Sequence, residues 1–331
     1  MGGLRFDPVP CLAAEDADEA LPAAPPAPIA SVALDACIVP SPNSPSGARL
    51  SEARLLVLDD FVDARTWSEL LTAMIGAAAV EALARGELAA PPEDLWERRT
   101  ADAAGAPATW GLRPAPLAAL MRGEACPAMR RVGARLAALF PNAVVAWLPS
   151  AAIQGPGSPD CAPLLANAAV AGDSFSYHQD ADPTAFPDAS AWCAAFGDYF
   201  NGEPGRPLLA SLVLYLNPEW RRDWGGETLL LDGDSGVGVA VQARPGRALL
   251  MHQDVVHRLV APSRSAGRRP RFSLVWKLAL LPRGAGDAVD LARRAEWGPP
   301  TPFGSAARVR AVQASLAREA GLGRKRGRVP G

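Results

Sequence analysis

The sequence is poor in the residues that build disulfide frameworks, structural zinc sites and strongly charged surfaces. Its five cysteines are widely scattered among 331 residues and form no Cys-x-x-Cys pair, so neither a disulfide framework nor a structural zinc site is expected. The formal net charge is only −2, which gives no overall field that would attract nucleic acid or an anionic membrane. No nucleic-acid partner is therefore expected.

Long apolar runs are also missing. No stretch reaches the roughly 18 residues expected of a membrane helix, and the N-terminus lacks the basic and apolar segments of a secretory signal. The Met-Gly start does not complete a myristoylation signal, because Phe6 stands where Ser or Thr is required. The sequence predicts an intracellular protein without a membrane partner, cytoplasmic rather than nuclear, and it leaves the oligomeric state open.

What is present divides the chain into four parts. Residues 1–50 are rich in Ala, Pro and Ser and are predicted to form a disordered arm. Residues 51–150 are predicted to form a support region of helices and strands, and residues 151–285 a core of short strands. Residues 286–331 are predicted to form a helix and a basic tail, solvated rather than a nuclear-import signal.

Helical periodicity comes first and strand-like runs follow. Asp63 is a candidate N-cap for an amphipathic helix, a second helix is predicted over Pro127–Leu139, and Val144–Leu148 resembles a strand. Later strands are separated by Gly, Pro, Asn and Asp turns: Leu208–Leu216, Thr228–Leu231, Val237–Val241, Ala248–His252 and Arg271–Leu280. The runs Leu208–Leu216 and Leu274–Leu280 are apolar on both faces, which is typical of strands inside two layers. The predicted fold is mainly β, a jelly roll preceded by helices.

Three residues have the types and the order of a metal site. Ser174–Asp180 is predicted to be a strand, and residues two apart on a strand share a face, so His178 and Asp180 can reach one metal. A second imidazole would complete a triad of two histidines and one carboxylate, which leaves coordination positions open on ferrous iron. His257 is preferred because it shortly precedes the predicted final strand, and His252 is the reserve candidate.

The order of several motifs is stronger evidence for the type of site than any single histidine. Leu214–Trp220 reads as a strand and turn, Gly225–Leu229 as Gly-Gly-Glu-Thr-Leu, and Arg271–Ser273 as an Arg-x-Ser before an apolar strand. Over about residues 175–280 the chain resembles the 2-oxoglutarate- and iron(II)-dependent oxygenase superfamily, especially its prolyl-hydroxylase-like branch. The resemblance implies a double-stranded β-helix, which agrees with the strand pattern.

A cosubstrate such as 2-oxoglutarate needs a cation inside the barrel for its distal carboxylate. The planar fork of arginine suits this role because it forms two charge-assisted hydrogen bonds with a carboxylate. Arg271 is the predicted partner, since strand alternation places Arg271 and Ser273 on one face. The resemblance assigns the same role to this Arg-x-Ser pattern, with Tyr215 as a hydroxyl donor. The preceding turn offers three rivals that are predicted to be solvated: Arg264, Arg268 and Arg269.

The resemblance implies a dioxygenase that uses Fe(II), 2-oxoglutarate and O2, with ascorbate as a further candidate reductant. It implies hydroxylation of a C–H bond in a peptide or small-molecule substrate, first of all a peptidyl proline, with decarboxylation of 2-oxoglutarate to succinate. Asp180 favours hydroxylation or hydroxylation-driven demethylation, because halogenating members have a small residue in its place. Two alternatives stay open: a nucleic-acid or protein demethylase of the superfamily, and a non-catalytic metal-binding jelly roll.

The segment Ala181–Pro207 is long enough to build a lid over the metal. It contains four aromatic residues: Trp192, Phe196, Tyr199 and Phe200. These side chains are expected either to shape a substrate mouth or to form a satellite core, and the sequence gives both hypotheses equal weight. Tyr177 is expected in the core, on the opposite face of its strand from His178.

Overall fold

Two antiparallel β-sheets form the framework of the larger of two units, Met1–Ala292, while the smaller unit, Arg293–Gly331, contributes helical residues between positions 306 and 317. The structure is a computed structural model. It describes residues 4–12, 30–33, 54–99, 109–123, 126–154, 162–231, 237–284, 287, 289–292, 294, 297, 306, 309–310, 313–314 and 316–317.

The first sheet contains nine strands: β1 Ala30–Ala33, β2 Arg54–Leu58, β3 Trp96–Arg98, β4 Trp110–Leu112, β5 Ala143–Trp147, β6 Leu164–Ala169, β7 Leu208–Tyr215, β10 Ala248–His252 and β12 Arg271–Pro282. Their order is β1-β2-β10-β7-β12-β6-β4-β3, and β5 pairs with β12. On one side of β12, its first half pairs with β6 and its second half with β5. The long strand β12 therefore joins most of the sheet.

The second sheet contains three strands: β8 Thr228–Leu231, β9 Gly238–Val241 and β11 His257–Leu259. Their order is β11-β8-β9, and the register places His257 opposite Leu230. His257, the predicted metal ligand, is therefore the first residue of a short strand at the edge of this sheet.

The core is centred on β7 and β12. All eight residues of β7 are buried, and so are the first ten residues of β12. Polar residues interrupt this apolar pair of strands at several points, and one pair faces across it: Ser211 on β7 lies directly opposite Lys277 on β12. The predicted fold class, a mainly β jelly roll with N-terminal helices, is confirmed.

The helices are α1 Ala64–Ile75, α2 Ala77–Arg85, α3 Pro114–Arg122, α4 Pro127–Leu139, α5 Ser150–Ile153 and α6 Ala191–Phe196. The predicted cap is confirmed, since the carboxylate of Asp63 accepts a 2.8 Å hydrogen bond from the backbone N–H of Thr66. The predicted bounds of α4 are confirmed as well. In the described residues no single helix could cross a membrane by length and hydrophobicity, although α1 and α2 pass that test as a pair bent by 110°.

The predicted disorder of residues 1–50 is wrong for two segments. Val9 is buried and its N–H donates to the carbonyl of Val145 at 3.2 Å, and Pro8 forms a bridge to Ala146. Strand β1 pairs with β2, which in turn pairs with β10. The remainder of the arm and the basic tail lie outside the described residues. Because β2 and β10 share a sheet, no sheet boundary separates residues 51–150 from the core.

Two further differences concern the edge of the metal site. The predicted strand Ser174–Asp180 is wrong, because only His178 in it makes a β-bridge, and its partner is His257. Strand β6 was not predicted, because its alanines are depleted in strands and its pairing with β12 is a long-range contact. Tertiary pairing decides the conformation of both segments.

Candidate active site

The backbones of His178 and His257 hold the two histidines side by side. The N–H of His178 donates to the carbonyl of His257 at 3.0 Å, and the N–H of His257 returns a bond to His178 at 2.9 Å. In such a mutually bonded antiparallel pair the two side chains project to the same side. The ring centroids lie 4.4 Å apart. A single bridge thus replaces the strand expected at Ser174–Asp180.

Both imidazoles have the same orientation. Nδ1 of His178 lies 2.9 Å from the carbonyl of Ser176, and Nδ1 of His257 lies 2.9 Å from the carbonyl of Val255. A donated Nδ1–H at each carbonyl leaves Nε2 as the metal-binding nitrogen, the arrangement that supports histidine ligands. Burial lowers the pKa of His257, which favours the neutral imidazole that a metal requires.

Asp180 is anchored from two sides. One carboxylate oxygen accepts a 2.6 Å hydrogen bond from the Ser211 hydroxyl, and the other lies 3.0 Å from Nζ of Lys277. Burial by itself would raise the pKa of Asp180, but the positive charges of Lys277 and His257 and the bond from Ser211 lower it to about 2. The carboxylate is therefore ionised and ready to bind a cation.

The donor atoms of His178, Asp180 and His257 converge, since they all lie within 4.8 Å of one another. Nε2 of His178 and Nε2 of His257 are 4.0 and 3.9 Å from the carboxylate oxygens of Asp180. Two imidazoles and one carboxylate are the donor set of non-haem ferrous iron, so the residues fit that ion. The reserve candidate His252 is not part of this group; its ring lies near Gly202.

Arg271 is a fully buried cation beside the triad. Its Nη1 lies 3.0 Å from the Ser273 hydroxyl, its Nη2 is 3.4 Å from that of Thr228, and its Cζ lies 4.9 Å from the centre of the Tyr215 ring. The Tyr215 and Thr228 hydroxyls are 2.9 Å apart. No ion pair to Arg271 occurs among the residues that the structure describes, and its buried Nε has no hydrogen-bond partner there. Arg271 and its hydroxyl neighbours could therefore hold a carboxylate.

The triad and Arg271 line one cavity of about 180 Å³. Its apolar wall includes Leu165, Phe175, Val213, Leu259 and Val275. The volume is below the roughly 300–1,000 Å³ typical of pockets for drug-sized ligands. The cavity thus suits a small cosubstrate, with His178, whose side chain is 43% exposed, on the solvent side.

Residues 166–276 match the family model of the 2OG-Fe(II) oxygenase superfamily. This segment belongs to that superfamily. The match contains the triad, Arg271 and strands β7 to β11, so the resemblance based on motif order and the predicted enzyme class, an oxidoreductase, are confirmed for the oxygenase segment. The family implies Fe(II) and 2-oxoglutarate as the metal and cosubstrate.

Solved structures of this class resemble the chain at low sequence identity. A Pseudomonas putida prolyl-4-hydroxylase is 17% identical, with 70% of this chain and 93% of that chain covered and a TM-score of 0.35. A Trichoplax adhaerens prolyl hydroxylase bound to a peptide fragment of hypoxia-inducible factor is 13% identical, with 69% and 83% covered and a TM-score of 0.37. A non-heme alpha-ketoglutarate-dependent epimerase from nogalamycin biosynthesis is 17% identical, with 78% and 94% covered and a TM-score of 0.39. No curated protein matches the chain.

The aromatic side chains of Ala181–Pro207 do not line the cavity. Trp192 and Tyr199 are buried in a separate cluster with Leu148, Leu209 and Ala279, and Phe196 packs against that cluster. The satellite-core hypothesis is therefore correct for these three residues, whereas Phe200 is exposed. Tyr177 is 42% exposed, so its predicted place in the core is wrong. It stacks instead with Arg258, whose Cζ lies 4.7 Å from the ring centre.

Sequence reasoning missed several polar residues of the site. Ser211, Lys277, Thr228, Asn167 and Arg99 all contribute to the cavity or to the anchoring of Asp180. Ser211 and Lys277 had a detectable signal, because each is a polar residue inside an otherwise apolar run. A buried lysine in a core strand is costly unless it is paired, so it indicates a buried acid or a ligand nearby.

Proposed function

We propose that the oxygenase hydroxylates a C–H bond of a peptidyl prolyl or small-molecule substrate and converts 2-oxoglutarate to succinate in the same turnover. One atom of O2 enters the substrate as the hydroxyl oxygen, and the other enters the new carboxylate of succinate as CO2 leaves. When bound, iron(II) supplies the oxygen chemistry, while the protein positions the reactants and limits access of water. Prolyl specificity rests on the motif resemblance, and ascorbate as a reductant stays a prediction.

The proposed metal ligands are His178, Asp180 and His257. The backbone carbonyls at Nδ1 fix the ring of each histidine, and Ser211 and Lys277 hold the carboxylate. Such outer contacts orient ligands and tune a metal site. These residues would leave the remaining coordination positions to the cosubstrate and oxygen.

The observation that carries the proposal is Arg271. A fully buried guanidinium without an acidic partner is costly, and the penalty is removed only when an anion enters its site. The distal carboxylate of 2-oxoglutarate would supply this charge, with Ser273, Thr228 and Tyr215 as hydroxyl neighbours. Burial raises the pKa of Tyr215, so its hydroxyl stays protonated.

The test is an anaerobic visible spectrum of the full-length protein with iron(II) and 2-oxoglutarate. Chelation of the 2-oxo acid by iron gives a weak charge-transfer band, and we expect the wild type to show it. His178→Ala and His257→Ala remove proposed ligands and should lose the band. His252→Leu is the matched control, because it removes the histidine outside the triad and should retain the band.

A folded wild type without the band would overturn the cosubstrate proposal, as would retention of the band by His178→Ala. The hydroxylation step needs a second readout: aerobic incubation with proline-containing peptides, followed by mass spectrometry for addition of one oxygen atom. If succinate forms while no peptide or small molecule gains oxygen from O2, hydroxylation is excluded as the outcome.

A further inference from the structure

Lys277 is an unusual residue for this chain. Only two of the 33 basic residues are lysines, Lys277 and Lys325, and all the others are arginines. Lys277 is also buried, within the ten buried residues that begin β12. A lysine is almost never fully buried unless its charge is paired, because burial of a lone charge is costly. Its burial therefore indicates that the charge has a defined role.

The ammonium group of Lys277 lies inside the candidate metal site. Strand alternation places Lys277 on the same face of β12 as Arg271, and both residues line the cavity. The Nζ atom is 3.0 Å from Oδ1 of Asp180, and the two side chains are only 8% and 4% exposed. Salt screens buried charges much less than surface charges. The charge of Lys277 therefore acts with little screening on any metal that Asp180 binds.

The charges of the proposed ligands and of Lys277 add up to zero. Histidine binds a metal as the neutral imidazole, so His178 and His257 contribute no charge to the loaded site. The negative charge of Asp180 is balanced by Lys277. This set of residues therefore leaves the two positive charges of iron(II) without compensation, and the third charge of iron(III) is less favourable still. Without an anion in the cavity, the site favours the ferrous state.

Anchoring of Asp180 does not by itself need a positive charge. The Ser211 hydroxyl donates a 2.6 Å hydrogen bond to the other carboxylate oxygen, and Ser211 lies directly opposite Lys277 in the register of β7 and β12. A neutral donor thus already holds the carboxylate at one oxygen. Both residues can position the ligand, but only Lys277 adds a charge.

We propose that Lys277 keeps the bound iron in the ferrous state until 2-oxoglutarate enters the cavity. In the unproductive reaction that it opposes, one electron passes from iron(II) to O2, which leaves iron(III) and superoxide. The charge of Lys277 makes the added positive charge on the metal less favourable. The two carboxylates of the cosubstrate bring two negative charges into the cavity and relieve this effect. The inference rests on the proposed function, because it assumes the three ligands and the cosubstrate site.

The experiment is a redox titration of the full-length protein, loaded anaerobically with iron(II). Electron paramagnetic resonance of high-spin iron(III) gives the ferric-to-ferrous ratio at each solution potential. Lys277→Met has a similar length and no charge. At a fixed potential we expect its ferric-to-ferrous ratio to be about ten- to a hundredfold higher than that of the wild type, the order of magnitude for loss of a unit charge a few ångströms away. Added 2-oxoglutarate should raise the wild-type ratio.

Two further variants separate charge from position. Ser211→Ala removes the neutral anchor of the same carboxylate and keeps Lys277, so its ferric-to-ferrous ratio should change much less than that of Lys277→Met. Lys277→Arg keeps the charge and should have a ratio close to that of the wild type. Urea unfolding reports whether each variant is folded. If Lys277→Met does not fold, Lys277→Gln, which keeps a neutral donor for Asp180, is measured in its place.

Equal ferric-to-ferrous ratios in the wild type and the neutral variant overturn the inference. So does an equal increase in Ser211→Ala, which would assign the effect to the position of Asp180. A wild-type ratio that stays the same or falls when 2-oxoglutarate is added contradicts the role of the cosubstrate. Failure of the folded wild type to bind iron is a different result, since it contradicts the proposed function itself and the inference falls with it.

Discussion

Arg247 and Arg271 are both buried arginines in this protein, yet their surroundings are opposite. Arg247 forms two bonds to the carboxylate of Asp59, at 2.5 and 3.0 Å, and a third to the carbonyl of Gln242. Arg271 contacts hydroxyl groups and an aromatic ring but no acid among the described residues. Because guanidinium cannot give up its proton in a protein, burial requires an anion. The anion that balances Arg247 is Asp59, a residue of the same chain. The anion that would balance Arg271 is expected to be a bound ligand.

His252 adds a third buried base to this comparison. Neither of its ring nitrogens has a hydrogen-bond partner in the described part of the chain. Burial, with a smaller effect of Arg54, lowers its pKa to about 3, so the ring is neutral at physiological pH. A histidine can be buried alone by losing its charge, and an arginine cannot. An unpaired buried arginine is therefore the better sign of a ligand site.

The largest effect is expected from replacing Arg271 with methionine. Truncating one partner of a buried charge pair costs about 2–5 kcal/mol, so the affinity for 2-oxoglutarate should fall by roughly thirtyfold or more. The free energy of unfolding without cosubstrate should stay the same or increase, because a desolvated charge is removed. Titration of the charge-transfer band and urea unfolding measure the two quantities.

Arg247→Met is the matched variant. It should lower the free energy of unfolding by about 2 kcal/mol, a discounted value because Asp59 is partly exposed and keeps Arg244 at 3.6 Å. Its affinity for 2-oxoglutarate should equal that of the wild type. A lower free energy of unfolding for Arg271→Met, together with a lower affinity of Arg247→Met for 2-oxoglutarate, would contradict the different roles assigned to the two arginines.

His252 should give an effect of about 2 kcal/mol on the pH dependence of stability. Its pKa is about 3 in the folded protein and near 6.5 when unfolded, so between these values only the unfolded chain gains a proton. Stability from this residue is therefore complete above pH 6.5 and is lost as the pH falls. Between pH 6.5 and 4.5 the wild type should lose about 2 kcal/mol more than His252→Leu in chemical unfolding. Parallel pH profiles would contradict a buried neutral His252.

The smallest effect is expected from Tyr215→Phe. The variant removes one hydroxyl beside Arg271, and a single hydrogen bond contributes about 0.5–1.5 kcal/mol, so the affinity for 2-oxoglutarate should fall about two- to tenfold. Tyr199→Phe is the control, because its hydroxyl donates to the carbonyl of Pro207 in the aromatic cluster. It should change stability and not cosubstrate affinity. Equal cosubstrate affinities of both variants and the wild type would exclude Tyr215 from the clamp.

Much of the framework is predictable because local signals and tertiary packing agree. The cap at Asp63, the bounds of α4 and the buried runs of β7 and β12 follow from periodicity and hydrophobicity. The identity of the candidate triad is predictable, because it depends on the order of the motifs and not on the conformation of the segments between them. Strand alternation does not place His178 beside Asp180, because their segment is not a strand. A backbone pairing with His257 and Gln253 positions them instead.

Other features have no local signal. The aromatic residues of Ala181–Pro207 suit a lid as well as a packed cluster, and only their contacts with Leu148 and Ala279 favour packing. Arg99 resembles any surface arginine until the sheet register places Gly111 beneath it. These outcomes depend on which distant strands become neighbours, and sequence spacing does not contain that information.

Residue types and their order are sufficient to predict the donor set of the candidate site: two histidines, a carboxylate and an arginine, set among apolar strands that must be buried. Which side chains become partners depends on the tertiary fold. Asp180 contacts Lys277 and Ser211 because β7 and β12 pair in one register. Among the described residues no acid pairs with Arg271, whose neighbours there are hydroxyls. The hydrophobic effect is non-directional, so the sequence pattern is enough to predict which strands are buried. Charge pairs and hydrogen bonds need partners at defined distances of a few ångströms, and these distances are set only when distant strands pair.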